Sequence, residues 1–265
     1  MNEVEYRQHP AISRSELWKL RESPEKFKWA MEHPEPPTPA LIFGQVFHKL
    51  ALEPTTFDDE FAIAPNVDRR TKDCKAAWAE FTAAAGRKTV ITQDVFDKAW
   101  EMICALDRTP FVKKLLDGEH ELPLFWTDEM TEEPCKVRLD VLTEVNGQPI
   151  IVDLKTTADA STDGFMRSAV RLGYHFQAAM YSEGYEKNYG KKPLFVFIAI
   201  EKEPPYSVNI LLADDAFLQC GYDIFRELIG IYSECKRTGV FYGYLGAYNA
   251  INNLGLPAYL AKEIE

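Results

Sequence analysis

Two aspartates and a lysine lie on neighbouring segments of this 265-residue chain, in a pattern suited to metal-assisted chemistry. Asp140 lies in Lys-Val-Arg-Leu-Asp-Val, whereas Asp153 and Lys155 lie in Ile-Val-Asp-Leu-Lys-Thr. Side chains alternate along a strand, so Asp153 and Lys155 share one face. Neighbouring carboxylates repel each other unless a cation lies between them, and oxygen ligands suit Mg²⁺ or Mn²⁺. A lysine beside them can position a water or stabilise charge on a phosphate.

The turn between the two segments predicts that they pair. Asn146-Gly147 lies between two β-like runs and is a strong signal for a hairpin. Asp140 and Asp153 lie equally far from this turn, so the hairpin makes them cross-strand neighbours. Taken alone, the same residues are as compatible with a solvated ion cluster on a sheet face.

Four other polar residues are candidates for the same site, although each has a simpler explanation when taken alone. His48 ends the run Gly44-Gln45-Val46-Phe47-His48 on an apolar predicted helix, where a histidine that belongs to the core is the commoner case. Gln177 and Tyr181 are four residues apart and share one helix face toward the sheet edge, as ordinary packing residues also do. Glu121 opens the first predicted strand, a position that is usually exposed.

The apolar pattern predicts the elements that must position these residues. Helices are predicted over 13–31 with a break at Pro24, and over 40–52, 69–85, 92–108, 175–189 and 214–238. Strands are predicted over 121–126, 136–145, 149–154, 194–200 and 207–212. This order predicts an α+β fold, with a mixed β-sheet core flanked by helices and a helical N-terminal half.

We expect one domain over residues 1–265. Its parts are a mainly helical region (1–110) that contains His48, a β-β-β-α-β core (118–240) and a C-terminal tail (241–265).

Composition excludes several classes of protein. The formal net charge is −11, from 30 basic and 41 acidic residues, which argues against a basic nucleic-acid coat protein. The charged N-terminus is unlike a signal peptide, and the longest apolar run, Leu194 to Ile200, is far shorter than the ~20 residues that span a bilayer. We therefore expect a cytoplasmic protein without a membrane segment. The five cysteines are widely spaced and predict no iron–sulfur cluster.

Basic residues are concentrated in 67–88, a stretch that contains six basic and three acidic residues. Arginines at a predicted helix start offer guanidinium groups and free amides to a phosphate. The residues expected to contact DNA are Arg69, Arg70, Lys72, Lys75 and Arg138. A solvated charge run explains the first four equally well. Arg167 and Arg171 form a second candidate pair.

Taken together and in this order, the motifs resemble the RecB-like branch of the PD-(D/E)xK nuclease superfamily, and within it the RecE-type exonucleases of phages and prophages. The resemblance covers nearly the whole chain. Its motifs are Ile12-Ser13-Arg14-Ser15, Gly44-x-x-x-His48, Lys136-x-Arg138-x-Asp140, Asp153-Leu154-Lys155-Thr156, Gln177-x-x-x-Tyr181 and the stretch 197–206.

The resemblance implies a role for each candidate. The implied ligands of Mg²⁺, or of Mn²⁺ in its place, are His48, Asp140, Asp153 and the main-chain carbonyl of Leu154. Lys155 would orient or activate the attacking water. Gln177 and Tyr181 would shape the site and hold the DNA strand, and Glu121 matches the upstream acid of the family. Relatives with an iron–sulfur cluster hold it with four cysteines, an arrangement that this chain does not offer.

The resemblance also implies an activity and partners. RecE-type enzymes degrade linear double-stranded DNA from its 5′ ends and leave 3′ single-stranded tails for a RecT-like annealing protein in recombination. They form homo-oligomeric rings of four subunits. Two alternatives stay open: a structure-specific or restriction-like endonuclease on the same fold, and a non-catalytic module that binds DNA ends.

Overall fold

The computed structural model describes residues 3–65, 72–246 and 251–255. Its helices are α1 (Glu3–Gln8), α2 (Arg14–Lys19), α3 (Pro24–Glu32), α4 (Pro39–Leu52), α5 (Phe57–Glu60), α6 (Lys72–Ala85), α7 (Gln93–Asp107), α8 (Pro110–Leu116), α9 (Thr162–Leu172), α10 (Tyr174–Tyr189) and α11 (Asp215–Thr238), with a 3₁₀ turn at Pro54–Thr56. Its strands are β1 (Ile12–Ser13), β2 (Phe61–Ile63), β3 (Thr89–Ile91), β4 (Glu119–Thr127), β5 (Pro134–Val145), β6 (Gln148–Thr157), β7 (Leu194–Glu201) and β8 (Val208–Leu212).

Six of these strands form one mixed sheet. The order along it is β1-β5-β6-β7-β8, and β4 also pairs with β5. The β1–β5 and β6–β7 pairs are parallel, whereas β4–β5, β5–β6 and β7–β8 are antiparallel. Strands β2 and β3 form a separate parallel pair.

The β5–β6 hairpin has the predicted register. Its pairs run from Val145–Gln148 to Val141–Val152, so Asp140 and Asp153 occupy the next position beyond the ladder. Asn146 and Gly147 have φ of 54° and 78°, the left-handed conformation at both central residues that a tight hairpin turn needs.

An apolar core lies on each face of the sheet. One core joins the sheet to α2, α9, α10 and α11 through residues such as Leu17, Phe165, Phe176 and Phe225. The other core joins it to α4, α7 and α8 through residues that include Phe47, Met102, Leu106, Val112 and Leu115. The sheet is therefore covered by helices on both sides, which confirms the predicted mixed β-sheet core flanked by helices.

The structure corrects the predicted β-β-β-α-β order, because two helices, α9 and α10, follow β6. Helix α9 is amphipathic, but it has only 11 residues and buries only Gly164, Phe165 and Ala169, so it offers few core positions to a pattern in the sequence. Its boundaries nevertheless have ordinary signals. The Ser161 side chain caps the first turn, and Gly173 ends the helix with φ of 71°. Strand β6 is also longer than predicted, since it continues to Thr157.

No helix in the described part of the chain combines the length and the apolar character needed to cross a membrane.

Candidate active site

The site lies where the β5–β6 ladder stops. Beyond the Val141–Val152 pair, the main-chain amide of Leu154 donates a hydrogen bond of 2.9 Å to Oδ2 of Asp140. A side-chain carboxylate thus takes the place of a main-chain acceptor at this point of the sheet. Asp140 is held against β6 by this bond, with 15% of its side chain exposed.

The backbone opposite Asp140 is strained. Glu121 lies between the His120–Val141 and Leu122–Leu139 pairs, and it has φ of 51° inside a strand. At the same level the alternation of β5 shifts, because Leu139 packs in one core and Val141 in the other. A left-handed backbone at a non-glycine residue inside a strand costs conformational free energy. It also changes the direction of the side chain, and such irregularities are common at functional sites. Here the irregularity brings the Glu121 carboxylate to Asp140.

Three side chains converge there as a group that could hold a metal ion. One ligand atom each from His48, Glu121 and Asp140 lies within 4.8 Å of the others. The Nδ1 atom of His48 is 3.5 Å from Oδ2 of Asp140. Burial lowers the pKa of His48, and this effect outweighs the opposing attraction of Asp140. The imidazole is therefore neutral at pH 7, the form that binds metals.

Asp153 is not in this three-residue group, and its two oxygen atoms have other partners. The carboxylate is 1% exposed, and the Gln177 amide donates to its Oδ1. The ammonium of Lys155 lies 2.6 Å from its Oδ2. Burial raises the pKa of Asp153 to about 7, and the Asp140 charge acts in the same direction, against the attraction of Lys155.

Lys155 is the cation that pairs with Asp153. Burial alone would lower its pKa, but the carboxylates of Asp153 and Asp140 outweigh burial and raise it. The ammonium also lies 4.9 Å from the centre of the Tyr174 ring. Lys155 is therefore protonated at neutral pH and offsets the negative charge of the site.

The donor set fits Mg²⁺ or Mn²⁺. It combines carboxylate oxygens with one neutral imidazole, and His48 also contacts the main chain of Leu154. Oδ2 of Asp153 is buried, and among the described residues its close polar partner is the Lys155 ammonium at 2.6 Å. A carboxylate oxygen that pairs with one ammonium keeps a further lone pair, which a metal ion or a bound water can use.

Arg138 and Tyr181 form part of the wall. Arg138 Nε lies 2.6 Å from Oε2 of Glu121, and its guanidinium stands 5.4 Å from the Tyr6 ring of α1. Burial, with the nearby Asp153, raises the pKa of Tyr181 well above its ordinary value, so its phenol stays protonated. Helix α1 is fixed there by Lys136, whose ammonium donates to the carbonyls of Tyr6 (2.9 Å) and His9 (2.7 Å).

Sequence reasoning did not assign a role to two residues that border the site, Arg14 and Tyr174. The Arg14 guanidinium donates to the carbonyls of Leu172 (2.7 Å) and Gly173 (2.8 Å), close enough to Asp153 to act on it electrostatically. A signal was present for Tyr174, which precedes Gln177 by three residues and so shares its helix face.

The five predicted DNA contacts have different outcomes. Arg69 and Arg70 lie outside the described residues, as does the side chain of Lys72, which begins α6. Lys75 is exposed on α6. Arg138 lies inside the site and pairs with Glu121, so it borders the candidate metal ligands.

A mixed sheet that brings two aspartates and a lysine together at a ladder end defines the PD-(D/E)xK class of fold. The chain belongs to the family described as PDDEXK-like domain of unknown function (DUF3799), whose model matches residues 13–252. The superfamily predicted from the motifs is thereby confirmed.

One of two similar solved structures supports the fold. The "Putative exonuclease" of Eubacterium rectale is similar over 99% of this chain and 97% of its own, with a TM-score of 0.64 and 16% identity. The protein SSO0001 is less similar, with a TM-score of 0.33 and 12% identity over 72% of this chain and 86% of its own. This similarity is too low to support a conclusion about the fold. No curated protein matches the sequence.

Proposed function

We propose that this protein is a metal-dependent nuclease that hydrolyses phosphodiester bonds of DNA. One observation carries the proposal: the Asp153–Lys155 pair lies beside the convergent side chains of His48, Glu121 and Asp140. Carboxylates and a lysine at one point supply what phosphodiester hydrolysis needs, namely metal ligands and a fixed positive charge.

The metal ion, Mg²⁺ or Mn²⁺, would be held by His48, Asp140, Asp153 and the Leu154 carbonyl. When bound, it would lower the pKa of a ligated water and neutralise charge on the phosphate. Lys155 would then be free of its Asp153 contact and would orient the attacking water. Gln177 fixes the Asp153 carboxylate through its amide hydrogen bond, and the protonated phenol of Tyr181 can donate to a phosphate oxygen.

The finer activity we propose is that of a RecE-type exonuclease acting on linear double-stranded DNA from 5′ to 3′. Two observations support it: the ordered set of motifs along the chain, and the full-length structural likeness to a protein named as an exonuclease. The same proposal includes a role in recombination, a homo-oligomeric ring and a RecT-like annealing partner that receives the 3′ single-stranded tail.

End-labelled DNA tests this proposal. With Mg²⁺, the protein should release nucleotides from the 5′ end of a linear duplex and leave a covalently closed circle intact. Asp153→Asn and Lys155→Gln should each reduce the rate by at least about a thousandfold, since each removes an electrostatic element of the reaction. Cutting of the closed circle would indicate an endonuclease instead. Binding of ends without cleavage would indicate a non-catalytic module.

A further inference from the structure

The outer surface of α9 carries one basic stripe and one apolar stripe. The residues Met166, Arg167, Val170 and Arg171 are together called the α9 face. Residues four apart stack along one side of a helix, so the two arginines form one stripe and the two apolar residues form the other. Met166 is 51% exposed and Val170 is 53% exposed. Both arginines are exposed as well.

The basic stripe is only partly offset by neighbouring acids. Among the residues that the structure describes, neither Arg167 nor Arg171 is in an ion pair. The Asp159 carboxylate, which accepts a hydrogen bond of 2.9 Å from the amide of Ser161, acts on Arg167 electrostatically and offsets part of its charge. On a chain with a net charge of −11, two exposed arginines on one stripe, neither of them in an ion pair, indicate a surface for an anionic ligand.

The α9 face leads directly to the candidate active site. Arg14 donates to the last carbonyls of α9, at Leu172 and Gly173, and it also acts electrostatically on Asp153. Tyr174 follows, with its ring 4.9 Å from the Lys155 ammonium, and Arg171 is near enough to act on Tyr174. A ligand that lies along α9 therefore reaches the Asp153–Lys155 pair.

We propose that the α9 face binds an unpaired DNA strand next to the active site. Arg167 and Arg171 contact neighbouring phosphates, since they lie about 6 Å apart along the helix axis. Met166 and Val170 pack against bases. This inference rests on the proposed nuclease function and adds to it the path of one strand.

The apolar stripe favours a single strand over a duplex. The outer surface of a duplex presents phosphates and sugars, while its bases are stacked inside, so exposed apolar side chains gain little from it. Unpaired bases expose their faces, and burial of those faces against apolar side chains contributes to single-strand affinity independently of sequence. A surface of arginines with interleaved apolar residues is therefore better suited to bind a single strand than a duplex.

Fluorescence anisotropy with a labelled single strand and a duplex of equal length tests this path, in EDTA to prevent cleavage. Arg167→Gln/Arg171→Gln should weaken single-strand binding about tenfold or more. It should also reduce the slope of log affinity against log salt by about 1.4, because each phosphate contact on a single strand contributes about 0.7. Arg167→Lys/Arg171→Lys should retain the slope. Met166→Ser/Val170→Ser should weaken single-strand binding about fivefold without a change in slope, and should leave duplex binding unchanged.

A matched control comes from the other face of the sheet. Arg108, just after α7, and Lys114, on α8, are exposed cations, and both helices pack in the opposite core. Arg108→Gln/Lys114→Gln should bind like the wild type. An unchanged salt slope in the arginine variant, or equal losses for single strand and duplex in the apolar variant, would overturn the α9 path.

Nuclease activity is judged separately. If the wild type cleaves DNA with Mg²⁺ but shows no single-strand binding, the α9 path is wrong and the nuclease function stands. If the single strand binds through α9 as described but no DNA is cleaved, the nuclease function is wrong and the α9 path stands.

Discussion

Lys155 Nζ lies 2.6 Å from Oδ2 of Asp153, a carboxylate that is 1% exposed. The two residues are separated by only one position on β6, so the contact is built into the strand. Only 17% of the lysine side chain is exposed, so solvent contributes little to the stabilisation of either charge. Removal of one partner leaves a charge that the interior must accommodate.

The two residues of this pair should differ in their effect on stability. Lys155→Met leaves two neighbouring carboxylates without their cation, so we expect a loss of about 3 kcal/mol in the free energy of unfolding at pH 8 without metal. Asp153→Asn removes a carboxylate that burial already disfavours and leaves the Lys155 ammonium with Asp140 nearby, so it should cost less, about 1–2 kcal/mol. Urea unfolding measures both values. Equal losses in the two variants would contradict this account.

Metal binding should strengthen as pH rises. Burial raises the pKa of Asp153 to about 7, so below that pH the metal-free site holds a proton that Mg²⁺ must displace. For the same reason, this group alone makes the metal-free protein less stable as pH rises from about 4 to about 7, because the folded state binds the proton more tightly than the unfolded state.

Thermal melting with and without Mg²⁺ at pH 6 and pH 8 measures the effect. The Mg²⁺-induced rise in Tm should be larger at pH 8. Asp153→Asn should show a small rise that is similar at both pH values. A rise in the wild type that does not depend on pH would contradict the assignment of Asp153 as a ligand.

The crossing of α10 and α11 should tolerate no side chain at Gly221. A Cβ at this position would overlap the carbonyl of His175, whereas a Cβ at Gly230, on the same helix, would meet open space. Gly221→Ala should therefore cost about 3 kcal/mol or more. Gly230→Ala should stabilise the protein by up to about 1 kcal/mol through helix propensity. Chemical denaturation of the two variants, which differ only in position, compares these effects.

The end of α9 should be equally specific for glycine. Gly173 has φ of 71°, and a Cβ there would overlap the Trp18 ring, while Gly190 has φ of 69° with open space around it. Gly190→Ala should cost about 1 kcal/mol from the left-handed backbone alone. Gly173→Ala should cost about 3 kcal/mol, because steric overlap adds to that backbone cost. It should also lower DNA cleavage, since Arg14 loses its carbonyl partners.

Local patterns predicted the hairpin, because Asn146-Gly147 and the flanking alternation define both the turn and the register. The partners that come from distant segments were not derivable from residue spacing. His48 and Arg14 reach the site from opposite faces of the sheet, because α4 packs on one face and α2 on the other. The residues alone made His48 a candidate, only the family resemblance made it a metal ligand, and neither route assigned a role to Arg14.

Glu121 shows a different kind of limit. Its carboxylate reaches His48 and Asp140 only because its backbone is left-handed inside a strand. An alternating pattern places a residue on one face or the other, and it contains no signal for such a local irregularity. Helix α9 escaped prediction for another reason, since it has only 11 residues and few of them are buried.

The hydrogen bond from the Leu154 amide to Asp140 has a consequence for how relatives are interpreted. The Asp140 oxygen atom that would bind the metal also accepts the hydrogen bond of the Leu154 amide at the end of the β5–β6 ladder. A related protein that had lost catalytic activity would therefore still need a hydrogen-bond acceptor at this position in order to fold. Asparagine would preserve the bond, and alanine would leave the amide unpaired. An acid at the position of Asp140 is therefore not, by itself, evidence of an active enzyme.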